Sequence, residues 1–219
     1  MLMMADLPPK LTEGATTMKQ KLILPINHTL VTASYKNEAY WKKFGFRHYG
    51  TDFVSTAGST LVYASGVGTL IASGWDENAG YVAIIRYPGA YNHRQRRYED
   101  VVFRYYHLNS LAALPAGENA ITKDTEIGHY GGSGFGSMTR WSPHLHVEAD
   151  TDLAYPAFSP TFAVNGSIIK GTVSGANDRT TLSCLEYLYC KKSAPDFQTF
   201  RTAGDIYINS ADKTIPILR

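Results

Sequence analysis

The stretch Trp141-Ser-Pro-His-Leu-His-Val-Glu-Ala-Asp150 alternates imidazole or carboxylate side chains with apolar ones. Successive side chains of a β-strand point to opposite faces, so a strand here places His144, His146 and Glu148 on one face. The residues between them form an apolar second face. Pro143 has no backbone N–H, which a strand tolerates at its first residue, so we expect the strand to begin at or just after it.

The composition favours a β-rich protein with one main domain. A chain of 219 residues can bury a sizeable core. Aromatic residues make up 12% of it, and the 15 tyrosines and 19 glycines favour strands joined by tight turns. Short β-rich runs at 60–64, 66–72 and 81–87 are typical of antiparallel sheets, and 88–100 reads as the polar connection of a long hairpin. We predict an all-β fold.

Charge and hydropathy exclude two classes of partner. The formal net charge is +2 and charged residues are 18% of the chain, which does not suggest a nucleic-acid footprint. No run approaches the eighteen apolar residues of an integral membrane segment. The N-terminal residues show no visible signal peptide, and the compartment is left unknown.

The chain divides into three parts. Residues 1–20 are polar and predict a flexible leader, 21–150 form the main domain, and 151–219 form an irregular C-terminal extension packed on the core or trailing from it. Cys184 and Cys190 are either two structural thiols or a short-loop disulfide.

A second chemical motif is His48-Tyr-Gly-Thr-Asp52, which follows an aromatic, basic stretch at 35–47 that we interpret as a loop. In a straight strand His48 and Asp52 would lie about 13 Å apart, too far to bind one metal ion. Gly50 can adopt a bulge or kink without steric cost, so a break there would bring the two side chains together.

The remaining histidines are unequal candidates for the site. His107 closes a strand-like run and is expected on the same face as Phe103 and Tyr105. His129 is a weaker candidate that we interpret as structural. The glycine-rich run 131–136 is not followed by Gly-Lys-Ser or Gly-Lys-Thr, so we predict a tight connection there and no phosphate loop.

Together, His48, Asp52, His107, His144 and His146 offer five candidate site residues. Imidazole and carboxylate groups are good zinc ligands, and three protein ligands with one open position are typical of catalytic zinc sites. Two residues would be left for proton transfer, which favours hydrolysis over metal storage.

These motifs resemble those of the lysostaphin-like, or LytM-type, zinc metallo-endopeptidases, which cut peptide cross-links in bacterial peptidoglycan. The resemblance spans about residues 45–150. The matching elements are His48-Tyr-Gly-Thr-Asp52-Phe, Val62-x-Ala64-x-x-x-Gly68, Gly80-x-Val82, Tyr106-His107-Leu108, Ile127-Gly128 and Pro143-His-Leu-His-Val-Glu148.

The resemblance implies antiparallel sheets that form a groove, the duplicated hybrid motif of this peptidase core. It implies that His48, Asp52 and His146 bind Zn²⁺ and that His107 and His144 are the catalytic histidines. The implied substrate is bacterial peptidoglycan. The enzyme would act at the cell wall and be secreted, periplasmic or phage-released. We expect it to be a monomer. The sequence differs from the family pattern in two places: Trp141 and Ser142 stand where the family commonly has glycine, and the hairpin at 88–100 is longer than usual. Both differences concern the walls of the groove.

Several roles stay open at this stage. The order in which His107 and His144 act is not assigned. Glu148 either orients an imidazole or is an exposed structural residue. Tyr40, Tyr49 or Tyr106 could assist the oxyanion.

Three alternatives remain. The chain could be a catalytically silent cell-wall-binding or hydrolase-activator module on the same fold. It could instead be a β-rich phage tail or adhesion component whose histidines are structural, or a zinc peptidase that acts on proteins outside the wall. The cross-link is either glycine-rich or of the D-alanyl-diaminopimelate kind, and the producer is either a bacterium or its phage.

Overall fold

The described residues form an eleven-stranded, mostly antiparallel sheet. The computed structural model describes residues 18–45, 47–153, 180–189, 191–192 and 205–208. Residues 1–17 of the predicted leader and most of the predicted C-terminal extension lie outside the described residues. The predicted all-β fold class is confirmed.

The elements follow one another along the chain with a single α-helix among the described residues. They are β1 (Thr29–Ala33), α1 (Glu38–Phe44), β2 (Gly50–Ser55), β3 (Leu61–Tyr63), β4 (Thr69–Asp76), β5 (Gly80–Asn92), β6 (Arg97–Leu111), β7 (Glu126–Tyr130), β8 (Leu145–Asp150), β9 (Thr181–Leu182), a 3-10 helix (Cys184–Glu186), β10 (Lys191–Lys192) and β11 (Asp205–Ile208). The main path through the sheet is β10-β11-β1-β2-β8-β6-β5-β4, while β3 pairs with β7, β7 also with β6, and β9 with β8.

Strand β8 lies between β2 and β6 and is paired with both. It begins at Leu145, just after Pro143, as predicted, and His144 is attached by a bridge to Gly131. The register places His146 opposite Asp52 on one side and opposite Tyr106 on the other. The centre of the sheet therefore holds the histidine motif.

The predicted alternation in β8 separates an apolar core from a polar face. Leu145, Val147 and Ala149 are fully buried in the hydrophobic core. The same core contains residues from both ends of the described chain: Leu22, Leu24, Cys184, Leu185, Tyr187 and Leu188. Burial of this apolar surface favours folding, because it removes the side chains from water. The described residues of the extension, 180–189, thus include part of the core.

Residue 20, the last of the predicted leader, is held by hydrogen bonds. The side chain of Gln20 donates to the carbonyl oxygens of Val67 and Pro88 and accepts from the N–H of Val67. Cys184 is buried. Cys190 lies outside the described residues, so the alternative of a disulfide stays a prediction.

The stretch 35–47, interpreted as a loop, contains α1. The Asn37 side chain accepts a hydrogen bond from the Tyr40 N–H at the helix start, and Gly45 ends the helix with φ of 79°. These are ordinary helix-capping signals, an Asn before the first turn and a Gly after the last. The sequence pattern did not predict the helix, because the segment spans only two turns.

The predicted polar connection at 88–100 is also mostly strand. Strands β5 and β6 run to Asn92 and from Arg97, which leaves a turn of four residues, 93–96. Arg86 forms an ion pair with Asp100 across β5 and β6, so polar residues in this region connect the two strands. No helix in the described part of the chain has the length and apolar character to span a membrane.

Candidate metal centre

Three donor atoms from two adjacent strands and the loop before them converge at one point. His48 lies just before β2, Asp52 in β2 and His146 in β8. The Nε2 atom of His48 is 3.0 Å from Oδ1 of Asp52 and 3.1 Å from Nδ1 of His146, and that Nδ1 is 2.8 Å from the same oxygen. All three residues are buried. The sequence-predicted ligand set is therefore brought together.

Gly50 makes this convergence sterically possible. Strand β2 begins at Gly50, so His48 lies outside the strand and the straight spacing of about 13 Å does not apply. A Cβ atom at this position would lie 2.4 Å from Nε2 of His146. The expected reason for the glycine was a kink, but the structure shows that the imidazole of His146 occupies the space of a side chain.

The other ring nitrogens of the two histidines have partners that set their orientation. The Nδ1–H of His48 donates to the carbonyl oxygen of Ser34 at 2.8 Å. The Nε2 of His146 lies 3.4 Å from Oε1 of Glu148. Such partners leave His48 Nε2 and His146 Nδ1 as the ligand atoms, and with one carboxylate oxygen they form a donor set that suits Zn²⁺.

A buried network of charges lies behind His146. Arg104, Glu148 and Asp150 are fully buried, and the guanidinium of Arg104 is 3.4 Å from Oε2 of Glu148 and 2.9 Å from Oδ2 of Asp150. The hydroxyl of Tyr106 donates to Oε2 of Glu148 at 3.4 Å. Glu148 is therefore not an exposed structural residue, and its second oxygen remains directed at His146.

His107 reaches the site through a break in strand alternation. It was expected on the face of Phe103 and Tyr105, but those two residues lie in the core and His107 lines the groove with His146. The expectation was wrong because His107 has φ of 60°, in the left-handed region, which reverses the direction of its side chain. Such strained backbone is common at functional sites.

The tautomer of His107 follows from its hydrogen bonds. Its Nδ1 is 2.8 Å from the carbonyl oxygen of Ser133 and 3.1 Å from that of Ala79, so Nδ1 carries the proton and donates it. The lone pair is then on Nε2. Burial, followed by repulsion from His146 and His144, holds the pKa of His107 well below its ordinary value, so the ring is neutral.

His144 lies beside His107 at the same centre. Its Nδ1–H donates to the carbonyl oxygen of Ser142 at 2.7 Å, and its Nε2 is 3.7 Å from Oδ1 of Asp52. The rings of His107 and His144 are 5.0 Å apart. Donor atoms of His107, His144 and His146 also lie within 4.8 Å of one another, a second set able to hold a metal ion. Only the set with Asp52 supplies a carboxylate to offset the charge of a divalent cation.

Electrostatics around Asp52 favour its ionised form. Burial by itself would raise the pKa of Asp52, but attraction by His48 and His144 and hydrogen bonds with His146 and His48 hold that pKa well below its usual value. Burial would likewise lower the pKa of His146, and hydrogen bonds with Asp52 and Glu148 raise it to about 9. A carboxylate that stays ionised is required for metal binding.

The centre opens into a groove of about 740 Å³. Its lining consists of the five predicted site residues and a set of aromatic, basic and polar residues, namely Tyr40, Phe44, Arg47, Tyr49, Phe135, Arg140, Trp141 and Ser142. Sequence reasoning missed Arg47, Phe135 and Arg140 as groove residues. Their only signal is position, since they stand in the connections that lead into β2 and β8.

The three candidate tyrosines have different positions. Tyr40 stacks on His48, with ring centroids 4.5 Å apart, and burial raises its pKa to about 12, with a further contribution from Asp52. Tyr49 lines the groove, whereas Tyr106 is buried and stacks on His146. His129 is exposed, bonds to Thr60 and lies outside the groove.

A groove in an all-β fold with a His, Asp and His donor set at its floor defines a site of the metallopeptidase type. The chain belongs to peptidase family M23, whose sequence profile matches residues 46–156. No curated protein sequence matches the chain.

Several solved structures are similar to part of the chain at low sequence identity. A zinc-containing peptidase from Vibrio cholerae is 21% identical with a TM-score of 0.44, and the alignment covers 60% of this chain and 37% of that one. A putative glycyl-glycine endopeptidase LytM from Ruminococcus gnavus is 23% identical with a TM-score of 0.42, covering 55% and 47%. Lysostaphin is 22% identical with a TM-score of 0.42, covering 60% and 45%. The chain thus spans less than half the length of each of these proteins.

Proposed function

We propose that this protein is a zinc-dependent endopeptidase that hydrolyses peptide bonds in bacterial peptidoglycan, in stem or cross-bridge peptides. The observation that carries the proposal is the convergence of His48 Nε2, Asp52 Oδ1 and His146 Nδ1 within 3.1 Å on the floor of an open groove. Membership of a peptidase family supports the reaction class. We place the enzyme at the cell wall as a monomer.

In this proposal His48, Asp52 and His146 hold Zn²⁺. When bound, the ion would polarise the scissile carbonyl and acidify a water molecule towards neutral pH. The buried carboxylate of Asp52 offsets part of the positive charge, and Ser34 and Glu148 keep both imidazoles in the ligating orientation.

His107 and His144 transfer protons. Because the Nδ1–H of His107 donates to the Ser133 carbonyl, its Nε2 lone pair can accept the proton of the attacking water. That proton then passes through Nε2 of His144, whose Nδ1–H is held by the Ser142 carbonyl and whose ring centre is 5.0 Å from that of His107, to the leaving amine, so both rings end the reaction neutral. Tyr40 stays protonated at neutral pH and is the tyrosine that we assign to the oxyanion, because it lines the groove beside His48.

The test combines metal content with product analysis. The purified protein, loaded with zinc, is incubated with purified peptidoglycan, and soluble fragments are weighed by mass spectrometry while new amino groups are titrated. We expect about one zinc per chain and fragments that differ by hydrolysis of one peptide bond, with no release after chelation. Zinc binding without new amino groups would favour the silent wall-binding or activator module instead. A protein that binds no zinc would contradict the proposal.

A further inference from the structure

Two arginines line the groove, and each lies over an aromatic ring. The guanidinium of Arg140 is 5.2 Å from the ring centre of Trp141 and 5.6 Å from that of Phe135. On the wall formed by α1 and the loop after it, the guanidinium of Arg47 is 5.3 Å from the ring centre of Trp41. The aromatic faces restrict the guanidinium of Arg140 without using its edge N–H groups.

Backbone hydrogen bonds hold the loop on the Arg140 wall. Gly134 and Ser137 exchange backbone hydrogen bonds, and the N–H of Phe135 donates to the carbonyl oxygen of Asn78. Phe135 has φ of 46°, an unfavourable conformation for a bulky residue, and its side chain is 51% exposed beside the groove. The fold therefore holds a large apolar ring in water next to the site, which suggests that a ligand covers it.

The charges of the groove lining are unbalanced. Among the described residues that line it, the one carboxylate belongs to Asp52, which is engaged by His48 and His146 at the metal centre. Arg140 forms no ion pair with any residue in the described ranges 18–45, 47–153 and 180–189. The walls thus present positive charge and aromatic surface to whatever lies in the groove.

We propose that the groove selects peptides that carry a free carboxylate next to the scissile bond, and that Arg140 is the main residue that binds this carboxylate. Arg47, which also lines the groove, is the second such residue. This inference rests on the proposed function, and it narrows the substrate class to anionic peptides, such as those with a γ-linked glutamate or a diamino diacid. A bridge of glycines alone has no side-chain or branch carboxylate and would be a poor substrate.

The physical basis is recognition of a planar anion by a planar cation. A carboxylate can accept two parallel hydrogen bonds from one guanidinium, and these are stronger than bonds between neutral groups. The carboxamide of the same peptide keeps the shape but loses the charge and one acceptor. A peptide pair that differs only in this group isolates the interaction.

The experiment uses the zinc-loaded full chain and two synthetic peptides of identical sequence, one with the free carboxylate beside the cleaved bond and one with a carboxamide. The specificity constant kcat/KM is measured for each. Calorimetric titration of both peptides provides the same comparison for binding, so the test also applies if no bond is cut. The variants are Arg140→Gln and Arg47→Gln, and the matched control is Arg96→Gln, which removes one positive charge in the exposed β5–β6 turn.

We expect the wild type to prefer the carboxylate peptide by about fivefold or more in kcat/KM or in affinity, as for a charge-assisted pair at a partly exposed site. Arg140→Gln should lose most of that preference, because it weakens the carboxylate peptide more than the carboxamide, and Arg47→Gln should lose a smaller part. Equal kcat/KM values and equal affinities of the wild type for both peptides would overturn the inference. A loss of preference in Arg96→Gln equal to that in Arg140→Gln would also overturn it. Absence of any cleavage with the binding preference intact would contradict the proposed function and leave the carboxylate site supported.

Discussion

The Nε2 atom of His146 lies 3.4 Å from Oε1 of Glu148, its neighbour on the same face of β8. The second oxygen of Glu148 faces the fully buried Arg104. A carboxylate behind a metal-binding histidine fixes the tautomer of the ring and increases its basicity. In the proposed centre the ligand atom of His146 is therefore set by residues that do not touch the metal.

Replacing Glu148 with Gln should therefore weaken zinc binding by about 10- to 100-fold, since the amide keeps the shape but loses the charge. Zinc affinity is measured by competition with a chromogenic chelator. The matched control is Glu126→Gln in β7, an exposed glutamate outside the groove. Equal affinities in the two variants would show that Glu148 does not orient the ligand. The melting temperature of the metal-free protein reports whether the fold tolerates the change.

Alanine variants of the five histidine and aspartate residues should fall into two groups. His48→Ala, Asp52→Ala and His146→Ala should lose bound zinc, whereas His107→Ala and His144→Ala should keep it and lose activity by about 10²- to 10⁴-fold, as expected for lost acid-base catalysis. Metal analysis after gel filtration separates the groups. Loss of zinc in His107→Ala and retention in His48→Ala would instead select the alternative set of His107, His144 and His146.

Gly50→Ala should displace the imidazole of His146, because the new Cβ atom would lie 2.4 Å from its Nε2. We expect a loss of about 1–3 kcal/mol in the free energy of unfolding, typical of overpacking, and weaker zinc binding. Gly58→Ala is the contrasting variant: Gly58 has φ of 75°, and a Cβ atom there would meet no other atom within 4 Å, so strain lowers stability but zinc affinity stays unchanged. Unaltered zinc affinity in Gly50→Ala would contradict the steric explanation.

The metal-free protein should become less stable as pH rises from about 6.5 to about 9. The pKa of His146 is raised to about 9 in the folded state, from an ordinary value of 6.5. The folded protein therefore holds this proton more tightly than the unfolded chain, so the contribution is complete below pH 6.5 and lost as pH rises through 9. Asp52, with its lowered pKa, stays ionised throughout. Thermal unfolding with chelator present measures the effect.

The control for this pH dependence is His146→Gln, in which the decline between pH 6.5 and 9 should be absent. His107 opposes this decline only near its lower end: its ring is neutral in the folded protein, and the unfolded chain loses the same proton as pH rises through about 6.5, so above about pH 7.5 it has no effect. A melting temperature that rises with pH in the chelated wild type would contradict the assignment of the proton to His146.

Much of the site was predictable from local sequence patterns. The alternation from His144 to Glu148 predicted a strand and its two faces, because side chains in a strand have a period of two wherever the chain is extended. The same rule failed at His107, where a single residue with φ of 60° reverses the side chain. Helix α1 was missed although Asn37 and Gly45 mark its ends, since a helix of two turns has little periodicity to detect.

The sequence by itself determined the all-β fold class, the strand that carries His144 and His146, and, through its resemblance to a family, the residues that the site would need. Only the tertiary structure decided how they meet. The donor atom of His146 is 94 residues from Asp52 and 98 from His48, so their contact depends on the register of β2 and β8. The buried Arg104 and the groove arginines have no local signature, because burial and charge balance are properties of packed neighbours and not of the chain around them.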